Sequence, residues 1–188
     1  MPNLYVGIDQ SYTGCAVVSY NPAADSAVEH VFDFSSGKAG TGPQRLGHVH
    51  HILREHFQAL RAAGTVRQVC FEGYAYGKAY RREELGELGG VMRLALIQVF
   101  PPHLLHAVAP ATVKKFVTGS GRAEKEKILL SVYMRWKFEA SGHDAADAYV
   151  LARIAACLDS THLPELKFQA EVIDSILNPK PPRVRARS

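Results

Sequence analysis

Two carboxylates stand at the ends of two predicted buried strands. Asp9 ends the apolar segment LYVGID, and Glu72 ends the segment VRQVCFE. Charged side chains are rare in strands that are covered on both faces, because an unpaired buried carboxylate is unfavourable. Each acid would therefore be paired with a basic residue, exposed at the strand end, or used in chemistry. Arg67 is the only basic residue on either segment.

A second pair of acids lies in the segment HDAADAYVLARIAACL. Asp144 and Asp147 are three residues apart, so they share one face of a predicted helix. Leu151, Ile154 and Leu158 continue the same face. Because that face is apolar, we expect it to pack on the sheet and to direct both carboxylates towards it.

Asp144 also has a structural explanation. Ser141 is placed to cap the helix, with Asp144 at its third position, where an acid is favoured by capping and by the helix dipole. Capping does not account for Asp147, which lies a turn further on, nor for Asp9 or Glu72. Four inward acids without an obvious basic partner predict a shared cation. Oxygen ligands suit Mg²⁺ or Mn²⁺, and two such ions about 4 Å apart would hold the attacking and leaving oxygens of a phosphodiester.

The elements that must position these acids alternate along the chain. Three segments rich in strand formers come first, and the turn signals between them predict an antiparallel meander. Helical patterns and two further strands follow, which predicts an α/β fold. The predicted strands are 4–9, 14–20, 27–34, 66–72 and 104–109, and the predicted helices are 46–60, 83–100, 110–117, 123–136, 143–158 and 163–177.

Composition narrows the class of protein. The 188 residues are 47% hydrophobic and 21% charged, as expected for one globular domain of ordinary size. The formal net charge of +4 mildly favours a polyanionic partner. No apolar run has membrane-spanning length, and no signal pattern opens the chain, so we expect a cytoplasmic protein with no membrane partner. Its three scattered cysteines are expected to be reduced core residues.

Four segments, taken in order, resemble the RuvC family of Holliday junction resolvases. They are GIDQSYTGCAVV, VCFEGYAYG, VAPATVKKFVTGSGRAEKEKI and HDAADAYVLARIA, and they run from about Leu4 to Cys157. The resemblance implies an RNase H-like fold with a five-stranded mixed sheet flanked by helices. It also implies a homodimer that uses Mg²⁺ or Mn²⁺, two ions per site, to nick opposed strands of a four-way DNA junction. The family's catalytic, metal-binding acids map by motif onto Asp9, Glu72, Asp144 and Asp147.

The resemblance also points to basic residues that contact DNA. Lys114, Lys115 and Lys125 occupy the positions of lysines that the family uses near its substrate. From the residues alone, Lys115, Arg122 and Lys125 bracket a Gly-Ser-Gly break, which could form a phosphate-binding edge or a merely solvated face. His143 precedes Asp144, and some relatives use a histidine in the metal site. We regard His143 as a candidate for orienting a ligand from the second layer around the metal.

Relatives commonly place an aromatic residue just beyond the second acid, where it acts at the junction centre. Here that stretch is GYAYGKAYRR, in which tyrosines alternate with bases. Such a mixture suits unstacked nucleotides, although one or two tyrosines could instead pack beneath the loop. The candidate DNA contacts in this stretch are Tyr74, Tyr76, Lys78, Tyr80, Arg81 and Arg82.

Domain limits and the dimer are further expectations. Residues 1–160 are predicted to form the nuclease domain, 161–178 a helical extension, and 179–188 a disordered basic tail that either is solvated or contacts phosphate. Three glycines in the helix 83–100 would permit close approach of another backbone. The predicted dimer contacts on that helix are Leu88, Val91, Met92 and Ala95.

Three other functions compete with junction resolution. An RNase H-like nuclease could act on other branched DNA or on RNA, since the basic elements fit any of these substrates. An actin-like phosphotransferase would share a hairpin like GIDQSYTG but would need a second hairpin and roughly twice the chain. A non-catalytic junction-binding protein would be expected to lack a catalytic acid, whereas all four are present.

Overall fold

One five-stranded sheet carries two of the four acids, Asp9 and Glu72, at its carboxyl edge. The computed structural model describes residues 1–73, 82–160 and 162–179. The strands are β1 (Asn3–Gln10), β2 (Gly14–Asn21), β3 (Ser26–Asp33), β4 (Thr65–Glu72) and β5 (Leu105–Val108). The helices are α1 (Ser36–Ala39), α2 (Gly42–Ala63), α3 (Arg82–Val99), α4 (Pro110–Thr118), α5 (Lys125–Trp136), α6 (His143–Leu158) and α7 (Lys167–Leu177), with a 3₁₀ turn at Pro102–Leu104.

The sheet is mixed, as the sequence predicts. Its order is β3-β2-β1-β4-β5, with β2 antiparallel to both β1 and β3, and β4 parallel to both β1 and β5. The predicted fold class, with three antiparallel strands first, is therefore confirmed. Because β1, β3, β4 and β5 all run in one direction, their carboxyl ends lie along the same edge of the sheet.

Two apolar layers cover the sheet. Val6 and Ile8 of β1 pack with residues of α2 and α3 on one face. On the other face, Tyr5 joins the cluster formed by α4, α5, α6 and α7. Helix α6 is buried along nearly its whole length, which explains why its apolar residues extend well beyond a single stripe.

Helix α6 rests directly on the backbone of β1 at Gly7. A Cβ atom built on Gly7 would lie 1.9 Å from the carbonyl oxygen of Ala148 and 2.3 Å from the backbone nitrogen of Ala152. No side chain larger than hydrogen fits in that space unless the helix moves away. Asp9 is two residues further along β1, on the same face of the strand. The contact at Gly7 therefore sets the distance between α6 and Asp9.

Several sequence predictions need correction. Leu88, Met92 and Ala95 are buried in the core with α2, so they are unavailable for contact with a second copy, and Val91 is half-buried against the same cluster. Helix α5 begins at Lys125 and α7 at Lys167, later than predicted, whereas α2 begins earlier, at Gly42.

The C-terminal helix packs on the domain. Val172 and Ile173 of α7 are buried in the cluster that contains α6, and Gln169 is also buried. The predicted domain limit at residue 160 stays a prediction, and residues 180–188 of the predicted tail lie outside the described residues. The three cysteines are buried and free. None of the helices in the described part of the chain is long and apolar enough to cross a bilayer.

The close contact at Gly7 generates a stability prediction. We expect Gly7→Ala to lower the free energy of unfolding by about 3 kcal/mol, because overpacking against a backbone cannot be relieved by side-chain rotation. Gly47→Ala is the matched control, since an added Cβ at this exposed position within α2 meets nothing in the described part of the chain within 4 Å. The control should raise stability by up to about 1 kcal/mol. Urea unfolding measures both, and equal effects would contradict the packing argument.

Candidate active site

Asp9 and Glu72 are brought side by side by the parallel pairing of β1 and β4. Ile8 pairs with Phe71 in that register, so the two acids follow at matching positions. Both lie on the α6 face, because they alternate with residues that pack under α2 and α3. Asp9 is only 6% exposed, and its carboxyl group shares a hydrogen bond with that of Glu72.

The other two acids reach this pair from the first turns of α6. Asp144 and Asp147 both raise the pKa of Asp9, so all four carboxylates form one electrostatic cluster. Oδ1 of Asp147 is buried and has no hydrogen-bond partner among the described residues. The amino end of α6 supplies a partial positive charge that favours acids at this position.

The cap predicted for α6 is wrong. Gly142, in an extended conformation, precedes the helix, and no side chain caps it. The backbone N–H of Ser141 instead donates to Oε2 of Glu29 at 3.3 Å. Asp144 is therefore not explained by a capping box with Ser141, which strengthens the case that it serves the acid cluster.

Burial and mutual repulsion shift the titration of the cluster. Burial, followed by the charges of Glu72, Asp147 and Asp144, raises the pKa of Asp9 well above its usual range. Burial raises the pKa of Glu72 to about 7, although the hydrogen bond with Asp9 opposes that rise. Burial also raises the pKa of Asp147 to about 6. Near neutral pH the cluster therefore retains protons that a cation could replace.

Two of the predicted DNA-contacting lysines lie close to the acids. Lys125 opposes the rise in pKa of both Glu72 and Asp147, and Lys114 does so for Asp147. Lys114 also donates from Nζ to the carbonyl oxygen of Ala123 at 2.9 Å, which ties α4 to the segment before α5. These lysines therefore provide positive charge at the rim of the acid cluster.

The other predicted basic contacts are placed differently. Lys115 forms a 3.0 Å ion pair with Glu171 of α7, so it does not share the orientation of its neighbour Lys114. Arg122 is exposed in the loop between α4 and α5. The candidates Tyr74, Tyr76, Lys78, Tyr80 and Arg81 lie outside the described residues, as does the side chain of Arg82. All remain predictions.

His143 and Arg67 have contrasting positions. His143 is the first residue of α6 and lies near enough to lower the pKa of Asp147 when charged. Its Nδ1 atom is buried without a partner in the described part of the chain, which fits the predicted role beside the cluster. Arg67 instead donates from Nε to Oδ2 of Asp159 at 3.0 Å. Arg67 therefore does not neutralise Glu72.

Sequence reasoning missed Cys15 as a neighbour of the cluster. Cys15 lies on β2 opposite Gln10, and burial, then the charges of Asp9 and Asp144, raise the pKa of its thiol. No local signal indicates this, because the proximity comes from strand register. The raised pKa keeps the thiol protonated and therefore a weak nucleophile.

The donor set fits a hard divalent cation. The four acids supply only oxygen atoms, and Oδ1 of Asp147 is buried without a partner among the described residues. In the described part of the chain, no three His, Cys, Asp or Glu side chains are arranged to hold a metal ion as they stand. Because Asp9 and Glu72 bond to each other, a cation would need these carboxyl groups to lose the shared proton and turn towards it.

The fold and the acidic site together define an RNase H-like nuclease. The chain belongs to the RuvC family, because the family model described as "Crossover junction endodeoxyribonuclease RuvC" matches residues 5–155. Membership makes it a hydrolase of a metal-dependent nuclease family, and it confirms the resemblance predicted from the four sequence segments.

Two solved structures share the fold. One is described as "Thermus thermophilus RuvC structure", with 23% identity, a TM-score of 0.58, and coverage of 81% of this chain and 91% of that chain. The other is described as "T. thermophilus RuvC in complex with Holliday junction substrate". It has 22% identity, a TM-score of 0.59, and coverage of 79% of this chain and 90% of that chain.

Proposed function

We propose that this protein resolves four-way DNA junctions by paired hydrolysis of phosphodiester bonds, acting in the cytoplasm. The observation that carries the proposal is the cluster of four carboxylates, of which Asp9 is buried and the other three are half-buried, with Lys114 and Lys125 within electrostatic range. Family membership supports the reaction class, and the T. thermophilus structure with Holliday junction substrate supports the substrate. Among the residues that the structure describes, no feature favours a phosphotransferase or a non-catalytic binding protein.

The four acids would hold Mg²⁺ or Mn²⁺, two ions per site. When bound, such ions supply Lewis acidity to the attacking water and to the leaving oxygen of the phosphodiester. Asp9 and Glu72 share a hydrogen bond in the metal-free protein, and the proton held there would have to leave for both carboxylates to hold a cation. Asp147 would contribute its buried Oδ1, and His143, whose charge acts on that carboxylate, is proposed to lie in the second layer around the metal.

The lysines act on the substrate side of the site. Lys114 and Lys125 are close enough to the acids to shift their titration, so a phosphate that reaches the acids also meets these two cations. Their charge offsets the repulsion between phosphate and carboxylates. Lys115 and Arg122 are proposed as further contacts along the backbone, together with the aromatic and basic stretch 74–82.

Removal of one charge from the cluster tests the mechanism. We expect Glu72→Gln to lower the rate of junction cutting at least about 10³-fold while junction binding persists, because the volume is kept but a metal ligand is lost. Glu55→Gln on the exposed surface of α2 is the matched control and should cut normally. The assay follows nicking of a synthetic mobile four-way junction with Mg²⁺.

The same assay separates the rival substrates. Flap DNA, plain duplex and an RNA–DNA hybrid are tested beside the junction. Preferential cutting of the junction, abolished by excess EDTA, is the expected result. Full activity in excess EDTA would refute metal dependence, whereas equal or faster cutting of flap or hybrid would favour a different substrate.

The proposed homodimer uses a face of α3 other than the predicted one. Leu94 and Ile97 are 46% and 55% exposed, and they continue a stripe from Gly86 and Gly90, where an added Cβ meets none of the described residues within 4 Å. This stripe permits close approach of a second helix, and a twofold dimer would give the two sites that paired cuts require. The occupant we propose is therefore a second copy of the chain.

Charged substitutions test this interface. We expect the double change Leu94→Glu and Ile97→Glu to convert a dimer into a monomer, because two carboxylates would be buried against their symmetry mates. Leu130→Glu on α5, where the leucine is 61% exposed, applies the same chemistry to another surface and should leave the dimer intact. Light scattering measures the mass. A monomeric wild type, with and without junction DNA, would contradict the proposal.

A further inference from the structure

A polar cavity of about 410 Å³ opens at the carboxyl edge of the sheet, the edge at which Asp9 and Glu72 end their strands. Its walls include Tyr12 and Thr13 from the turn after β1, Ser35 and Ser36 after β3, and Arg45 near the start of α2. Since β1 and β3 are both antiparallel to β2, these segments leave the sheet at the same edge as Asp9. The mechanism described above does not use this cavity.

The cavity and the lysines lie on opposite faces of the sheet, and the strand acids project from the face that carries the lysines. Arg45 belongs to α2, which covers one face of the sheet together with α3. Lys114 and Lys125 belong to α4 and α5, which cover the other face with α6. A strand of DNA that crosses this edge with its scissile phosphate at the acid cluster would run from the lysine face to the cavity face of the sheet.

Arg45 is held in the wall of the cavity by the backbone. Its Nε donates to the carbonyl oxygen of Phe34 at 2.9 Å, and Nη2 donates to that of Tyr12 at 2.7 Å. The guanidinium also lies over the ring of Tyr12, 5.6 Å from its centroid. An arginine has five N–H donors, so a group fixed in this way still presents donors and positive charge to a ligand.

Hydroxyl groups complete a set of donors suited to a phosphate. Ser35 and Thr41 directly precede α1 and α2, yet neither side chain makes a capping hydrogen bond. Their hydroxyls, with that of Ser36, line the same space as Arg45. Serine, threonine and arginine side chains are the usual phosphate contacts in protein–DNA complexes. Glu87 of α3 supplies a carboxylate on another wall and restricts where an anion can sit.

We propose that this cavity binds a backbone phosphate of the DNA strand, on the side of the cut that faces away from Lys114 and Lys125. The inference rests on the proposed function, because it uses the same strand at the same edge. Charged contacts on both faces of the sheet, at the edge that carries the acids, would fix the direction in which the strand crosses that edge, and so which phosphodiester is placed over the cluster.

A charge placed at the cavity tests the proposal. Ser36 is exposed at the first position of α1, where glutamate is compatible with the helix. We expect Ser36→Glu to weaken binding of junction and plain duplex roughly tenfold, and to reduce the salt dependence of binding by about one unit. Ser36→Gln controls for size. Ser26→Glu adds the same charge at the opposite edge of the sheet, and both controls should bind within about threefold of wild type.

Replacement of single DNA phosphates by neutral methylphosphonates locates the phosphate that contacts the cavity. A single methylphosphonate is moved along the strand on either side of the cut, and cutting by the wild type is expected to fall at one position on one side. Ser36→Glu should lose that sensitivity and keep sensitivity elsewhere. Equal binding by Ser36→Glu and Ser26→Glu would overturn the cavity proposal. Failure of the wild type to cut any junction would instead overturn the proposed function, since duplex binding still reports on the cavity.

Discussion

The site depends on the contact between α6 and the backbone of β1. Because Gly7 has no side chain, the helix can lie within van der Waals distance of the strand, with Ala148 and Ala152 against it. The first turns of α6 then fall over the end of β1, and Asp144 and Asp147 come within electrostatic range of Asp9. A larger residue at Gly7 would separate the helix acids from the strand acids.

Carboxylates that lie this close together repel one another, and positive charge nearby reduces the repulsion. Lys114 and Lys125 supply positive charge at one rim, while the amino end of α6 contributes its dipole. At the far end of α6, Arg153 donates to Tyr20 Oη at 2.9 Å and to Glu165 Oε1 at 2.9 Å. Apolar packing and this buried arginine therefore hold α6 in place at the end that lies away from the acids.

Much of this arrangement follows from sequence patterns. Apolar strands that end in acids identify Asp9 and Glu72 as candidates to share a cation, and the spacing of Asp144 and Asp147 predicts a common helix face. Local patterns do not reveal which face of α3 meets the core, so Leu88 is predicted at an interface although it is buried. They also do not distinguish Lys114 from Lys115.

Other features are set by contacts between residues distant in the sequence. The pairing of Lys115 with Glu171 requires α7 to pack beside α4. The cavity at Arg45 is assembled from the turn after β1, the loop after β3 and the start of α2 and α3. No pattern within one segment predicts such a space. The sequence does not distinguish Gly7 from an ordinary strand glycine, because its role depends on the position of α6.

The central claim is that a cation stabilises a buried acid cluster that otherwise needs protons. In the metal-free protein, the pKa of Glu72 is raised from 4.5 to about 7 and that of Asp147 from 3.8 to about 6. Both groups therefore stabilise the folded state when the pH lies below the lower of each pair of values. This contribution to the free energy of unfolding is lost as the pH rises through about 7 for Glu72 and about 6 for Asp147. The most direct measurement is urea unfolding from pH 4 to 8, with and without Mg²⁺, for wild type and Glu72→Gln. We predict that metal-free wild type loses on the order of 2 kcal/mol or more over that range. Mg²⁺ should restore most of the loss at pH 8, whereas metal-free Glu72→Gln should lose distinctly less and gain little from Mg²⁺. Identical pH profiles for the two proteins, or no effect of Mg²⁺ on wild type, would contradict the account.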